Sequence, residues 1–367
     1  MGIKHVLIVT DCGLRWPTGM VRALQFQPLF ESSDSWRAEY TSRHPYRVVK
    51  ILYGQHRLLS KNVIRVFRPL LNAYYEWWSK RQDEQIVKRA RKFDLICLIK
   101  TPSLPLYRRL LGVGRPRIIM DINDSLWLSK RGDWVDLDAM LAEVDGVICE
   151  NEYVASYARR YNRRVFVIED APQVEVFDRF RAQIRRDPSQ IVLGWIGGSA
   201  NIWPLCKLLE PLEALFARHP NLHLRVIGTH ADALPPFEKV KFSCLPSYSQ
   251  EEMVREVLGL DIGLFPLFQN EDGRGRGTLK AKIYMSGQAV AVCDNYGENP
   301  KLIKDGTNGI LVSSPQEWHD KLEWLITHPE ERRAIAERGL ETIRREYTAR
   351  RVFTEILTAY ARVLNPQ

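Results

Sequence analysis

The chain has 367 residues, 45% of them hydrophobic and 26% charged, with a net charge of +9. That length exceeds what one hydrophobic core serves, so two domains are expected, and no apolar run nears the roughly 20 residues a membrane-spanning helix needs. The charge is concentrated, with thirteen Lys/Arg against three acids (Glu76, Asp83, Glu84) between positions 43 and 92, which points to an anionic partner surface: a membrane, an acidic glycan or nucleic acid.

In chain order, Met1-Gly2-Ile3-Lys4-His5 runs straight into the strand-like His5–Thr10, leaving no room for a signal peptide, so a cytoplasmic location is expected. The loop after it carries Asp11-Cys12-Gly13 and Thr18-Gly19-Met20. In the basic segment, Arg57, Lys61, Arg65 and Arg68 recur at helical spacing beside Leu59, Val63, Val66 and Leu70, which predicts a helix lying on an anionic membrane, peripheral on its inner face. Tyr74, Tyr75, Trp77 and Trp78 would suit nucleic acid, but no recognition module accompanies them, and nucleic acid ranks last. Asp94–Ile99, Arg117–Asp121, Gly146–Cys149 and Arg164–Ile168 read as further buried strands, alternating with helical stretches. Two of them end in polar loops, Lys100-Thr101-Pro102-Ser103 and Asp121-Ile122-Asn123-Asp124-Ser125-Leu126-Trp127, where a carboxylate such as Asp11 or Asp124 would orient or deprotonate a hydroxyl; helix capping is the competing role for Asp124 and Ser125.

The text turns polar around Arg185-Arg186-Asp187-Pro188, and the pattern restarts with a strand at Ile191–Ile196. A helical stretch follows (Leu205, Leu208, Leu209, Leu212, Leu215, Phe216), then Leu222, Leu224 and Val226 in alternation, a capping box at Ser249 and Glu252, and strands at Asp261–Leu267 and Ala289–Cys293. Three helical stretches from Pro315 close the chain. The expected fold is α/β: two doubly wound parallel-sheet domains facing a cleft, ligands lying at the carboxyl ends of the strands. The expected units are 1–186, 187–350 and a closing helix, 351–367, that packs back on the first domain. Cys12, Cys97, Cys149, Cys206, Cys244 and Cys293 are scattered and read as buried thiols, and His219 and His223, separated by Pro220, make no metal pair.

The second half holds three loops of interest. Gly197-Gly198-Ser199 ends a strand and lets a ligand approach backbone amides, though a tight turn without ligand is as good an account. Asp272-Gly273-Arg274-Gly275-Arg276-Gly277-Thr278-Leu279-Lys280 alternates glycine with arginine before a helix, and Arg276 and Lys280, four apart, can face one anion. Arg274 is expected to pair with Glu271 or Asp272. The third loop is Gly297-Glu298-Asn299, where the two side chains would bond sugar hydroxyls or shape a turn.

These motifs in order resemble glycosyltransferase family 4, retaining enzymes of the GT-B fold, and in particular a branch whose first C-domain strand reads Trp-Ile-Gly-Ser. Here the matching residues are Trp195-Ile196-Gly197-Gly198-Ser199, Asp261-Ile262-Gly263-Leu264-Phe265-Pro266-Leu267, Arg274-Gly275-Arg276 with Lys280, Tyr284-Met285, Gly297-Glu298-Asn299 and Asp305-Gly306-Thr307-Asn308-Gly309. The resemblance implies a nucleotide diphosphate sugar held by the C-terminal domain through Gly197, Gly198, Ser199, Arg274, Gly297, Glu298 and Asn299. Arg276 and Lys280 would act catalytically on the leaving diphosphate, and Asp11, Thr18, Gly19, Asp121 and Asp124 would stand on the acceptor side. It implies neither metal nor cofactor. The chain departs from the family at Gly275 and Ile283, which replace its pair of glutamates, and at Val290, where a proline is usual. The expected activity is sugar transfer, with retention, to a lipid-linked or polysaccharide acceptor; the alternative is a catalytically weakened sugar-nucleotide-binding partner subunit.

Overall fold

Two apolar alternations run along the chain, and each builds its own parallel sheet. The computed structural model describes residues 2–52, 61–101, 103–114, 116–128 and 136–365. The first sheet comprises β1 (Lys4–Thr10), β2 (Trp36–Ser42), β3 (Leu95–Ile99), β4 (Arg117–Ile122), β5 (Gly146–Cys149) and β6 (Val165–Val167), in the order β2-β1-β3-β4-β5-β6. The second comprises β7 (Ile191–Ile196), β8 (Leu222–Ile227), β9 (Phe242–Leu245), β10 (Ile262–Phe265), β11 (Val290–Asp294) and β12 (Ile310–Val312), in the order β12-β11-β10-β7-β8-β9. Every pairing is parallel. Central strands such as β3, Leu-Ile-Cys-Leu-Ile, are buried along their whole length, because helices cover both faces.

The helices of the first half are α1 (Pro17–Arg22), α2 (Gln27–Glu31), α3 (Tyr46–Leu52), α4 (Lys61–Arg89), α5 (Leu104–Leu111), α6 (Leu137–Glu143), α7 (Glu152–Ala158) and α8 (Val174–Arg181). Those of the second are α9 (Leu209–Arg218), α10 (Gln250–Leu258), α11 (Glu271–Arg274), α12 (Leu279–Ser286), α13 (Asn299–Leu302), α14 (Pro315–Thr327), α15 (Pro329–Glu346) and α16 (Ala349–Leu364). The capping box forms at α10: Ser249 accepts from the Glu252 amide while the Glu252 carboxylate takes the Ser249 amide. Leu205 and Leu208 lie in a 3-10 segment, Trp203–Leu208, that precedes α9.

The chain exchanges helices between its halves. Val174 and Phe177 of α8, ahead of the boundary expected at 186, pack in the second core with Val254 and Val257 of α10. At the other end α16 returns to the first core, where Phe353 meets Phe30 edge-on at 4.8 Å and Tyr360 leans on Trp36 at 5.6 Å. Of the cysteines, Cys97, Cys149 and Cys293 are buried, whereas Cys12, Cys206 and Cys244 are half-buried, which corrects the expectation of uniform burial; none of the six is joined in a disulfide. Arg57 and Leu59, expected in a basic helix, lie outside the described residues. The helix is described from Lys61, and among the described residues no helix is long and apolar enough to cross a membrane.

Candidate functional site

Each sheet reverses its winding once, and a crevice opens at that point. In the first sheet the reversal lies between β1 and β3. There a cavity of about 450 Å³ is lined by Asp11, Thr18, Gly19, Lys100 and Asp124 from the first domain, and by Asp272 and Arg276 reaching in from the second. Gly13, with φ +109°, turns the chain after β1, and Gly19 sits where a Cβ would lie 2.6 Å from the Gly13 and Leu14 carbonyls.

Asp124, itself at φ +67°, is the junction of the two domains. One carboxylate oxygen accepts from Lys100, and the other lies 3.5 Å from Arg276, whose far side is held by Asp272 at 3.0 Å. Burial works to raise the Asp124 pKa, but Lys100 and Arg276 prevail and hold it at about 2. Arg276 thus takes the carboxylate expected for Arg274. Arg274 is exposed and lies over the rings of Tyr153 (5.6 Å) and Tyr296 (5.9 Å).

The second sheet reverses between β7 and β10. Lys280, in the first turn of α12, extends its ammonium over the Trp195 ring at 4.9 Å and the Phe265 ring at 5.6 Å, one side chain from each of those strands. A Cβ on Gly197 would stand 3.1 Å from that ammonium, so the glycine turn and the lysine share one spot. Among the described residues Lys280 has no carboxylate within ion-pair distance, and burial together with neighbouring Arg276 pushes its pKa down to about 7, against the weaker pull of Asp124.

Between these crevices the loop 273–277 is pressed into the first domain. A Cβ on Gly275 would lie 1.8 Å from Ser125 Oγ, and one on Gly277 would lie 1.6 Å from Glu150 Oε1. Asn151 Nδ2 donates to the Gly275 carbonyl at 3.0 Å. Glu150 is buried, and burial, Asp170 and Asp124 raise its pKa well above the ordinary carboxyl value. It lines a small recess with Gly277, Thr278 and Glu298. Sequence reasoning passed over Glu150 and Asn151, although they follow directly on the strand Gly146–Cys149, where a strand-end rule would have found them.

The remaining expected residues are placed elsewhere. The Asp121 carboxylate turns inward and accepts through both oxygens from Nε and Nη2 of the Arg22 guanidinium, which also binds Asp170 and the Ile168 carbonyl; it does not line the cavity. Asn299 is buried and donates to the Asp294 carbonyl at 3.0 Å, while Glu298 pairs with Lys301 at 2.8 Å. Gly297, at φ +60°, packs against the Gly273 carbonyl. Gly198 and Ser199 lead into a 3-10 turn, with Ser199 exposed. Ile283, at the second expected glutamate position, is half-buried against the second core.

Residues 206–358 match the family model described as glycosyl transferase-like. No curated protein sequence matches the chain. Among solved structures, that of Anabaena HepE in complex with UDP-glucose superposes with a TM-score of 0.69 at 13% identity, covering 97% of this chain and 99% of that one. Sucrose-phosphate synthase from Thermosynechococcus elongatus gives 0.66 at 11% identity, with 98% and 99% covered. A UDP-forming trehalose-phosphate synthase from Burkholderia xenovorans gives 0.65 at 14%, with 99% and 100% covered. The chain therefore has the two-domain GT-B fold of these glycosyltransferases, with a glycosyl transferase-like domain across most of its second half.

Proposed function

We propose that the protein is a glycosyltransferase that takes a sugar from a nucleotide diphosphate donor, a UDP-sugar by analogy with HepE, and passes it to a glycan or lipid-linked acceptor. One observation carries this: Lys280, a half-buried cation with no carboxylate partner among the described residues, stands at the second sheet's reversal beside Gly197 and the first turn of α12. An ammonium held in that way calls for an anion, and a diphosphate supplies one. Thr278 opens α12 without a side-chain cap bond, so the helix adds its own positive end. Arg276, four residues ahead, would meet the same charge as it builds on the departing phosphate. Gly198, Ser199, Gly297, Glu298 and Asn299 belong to the donor side of this proposal, and Asp11, Thr18, Gly19 and Asp124 to the acceptor side. Retention of configuration follows from the family resemblance.

Incubation with a panel of nucleotide sugars, without acceptor, tests it. Slow release of the nucleoside diphosphate from one donor is expected, and binding without any release favours the second reading, a partner subunit that has lost turnover. Gly275 and Ile283 favour that second reading, because neither offers the carboxylate that the resemblance places there.

The acceptor side is proposed to work at an anionic membrane surface. Between Val63 and Trp77 helix α4 exposes Val63, Val66 (71%), Phe67, Leu70 (68%), Tyr74 and Trp77. Arg65, Arg68, Lys80 and Arg81 flank these apolar groups, with Glu76 the single acid between them.

A further inference from the structure

Asp11 is tied to a chain of buried groups that its loop alone does not reveal. Its Oδ1 lies 3.0 Å from Nε2 of His44. Nδ1 of His44 lies 2.5 Å from Ser79 Oγ, and the Ser79 hydroxyl donates to the Tyr75 carbonyl at 2.6 Å. His44 is 4% exposed and stacks on the Tyr75 ring, centroids 4.2 Å apart, so the imidazole has no room to turn.

Both ring nitrogens of His44 are engaged. Nε2 faces the Asp11 carboxylate, which can only accept, so the hydrogen between them belongs to the ring, and Nδ1 meets the Ser79 hydroxyl on the other side.

We infer that Asp11, His44 and Ser79 form a hydrogen-bonded relay in which the His44 ring holds Asp11 so that its other oxygen receives the attacking hydroxyl of a sugar acceptor. His44 is a positioning residue in this scheme. The inference rests on the proposed transfer reaction, and it chooses between two carboxylates in one cavity. Asp124 has both oxygens engaged, by Lys100 and Arg276, and is held at about 2, so it is a weak partner for a hydroxyl. Asp11 Oδ2 is met by the Cys12 thiol at 3.3 Å, a weak donor that a hydroxyl can displace. The other cations near Asp11 are already committed: Arg43 binds Asp83 at 2.8 Å, and Lys100 binds Asp124.

Two measurements test the relay. The first compares wild type, His44→Ala and His44→Gln with UDP-glucose as donor and octyl glucoside as acceptor, reading the KM for each. His44→Ala should raise the KM for octyl glucoside at least about tenfold, the worth of one hydrogen bond to a charged group, while the KM for UDP-glucose, which the proposal seats on the other domain, moves much less. His44→Gln keeps an N–H toward Asp11 and should recover most of the loss. The two KM values rising together, or no recovery in His44→Gln, would mean a structural role and overturn the relay. The second is independent of turnover: ring 15N shifts of His44, assigned by its absence in His44→Ala, should show a hydrogen on Nε2. A bare Nε2 would overturn the relay even in a fully active enzyme. A wild-type protein that turns over no UDP-glucose would count against the transfer reading with this donor, while the nitrogen shifts would still decide the relay.

Discussion

Lys280 makes the donor site sensitive to pH in a direction that its surroundings fix. Its folded-state value is pushed down to about 7 by burial and by Arg276. Between that pH and the ordinary lysine value the unfolded chain therefore binds more protons than the folded one. The group destabilises the empty protein fully below about 7, and this penalty fades as the pH rises. A bound diphosphate reverses the preference by stabilising the ammonium, so donor binding at alkaline pH takes up a proton. UDP-glucose suits the measurement because both of its phosphates are esterified and keep a fixed charge over this range. If only the ammonium form binds, affinity should fall about 50-fold between pH 7 and pH 9, and a titration at pH 8 should take up about 0.9 of a proton. Calorimetry in buffers of different ionisation enthalpy reads both quantities. Lys280→Arg keeps its charge throughout and should flatten the curve. A flat wild-type curve, or the same slope in Lys280→Arg, would refute the assignment of this lysine to the diphosphate.

Other expectations follow from packing and charge. Gly277→Ala places a methyl 1.6 Å from Glu150 Oε1; it should weaken the contact between domains by about 1–3 kcal/mol, seen as a larger radius in small-angle scattering with unchanged helix content. Arg22→Met leaves Asp121 and Asp170 buried without their cation and should cost about 3–5 kcal/mol, read as an earlier urea midpoint; an unshifted midpoint would show that the pair is not needed for stability. Leu70→Asp and Trp77→Ser alter exposed side chains, so both should fold normally yet lose co-sedimentation with vesicles of anionic lipid at low salt. Wild-type protein that fails to sediment with those vesicles would remove the membrane proposal.

The interior of the fold was legible because buried parallel strands are written as apolar runs. Gly146–Cys149 and Ile191–Ile196 were read to the residue, and Leu95–Ile99 to within one. The strands that escaped notice, β2, β9 and β12, all lie at sheet edges. There one side lacks a neighbour, the strand is short or half-exposed, and charged residues such as Arg37 and Glu39 interrupt the run. Sheet order was hidden as well: the first crevice depends on β2 pairing on the side of β1 away from β3, and the second on β10 joining β7 on the side away from β8, and neither pairing is written in the strands' own patterns.

Site residues were legible where a backbone feature announced them and silent where the chemistry lies in a partner distant along the chain. Arg276 and Lys280 stood out by their glycines, yet those glycines have a second cause that spacing could not show. Gly275 and Gly277 are small because Ser125 and Glu150 of the other domain occupy the space a side chain would fill. The glutamate that the family resemblance would place at 275 cannot be accommodated in this closed arrangement, so its loss and the domain contact are one change rather than two. The charge that glutamate would have contributed is in turn met by Asp124, which reaches Arg276 from across the cleft at 3.5 Å. A donor diphosphate entering beside Lys280 must compete with Asp124 for the same guanidinium. Removing the charge in Asp124→Asn should therefore tighten UDP binding, whereas unchanged or weaker binding would show that this carboxylate does not compete with the diphosphate for Arg276.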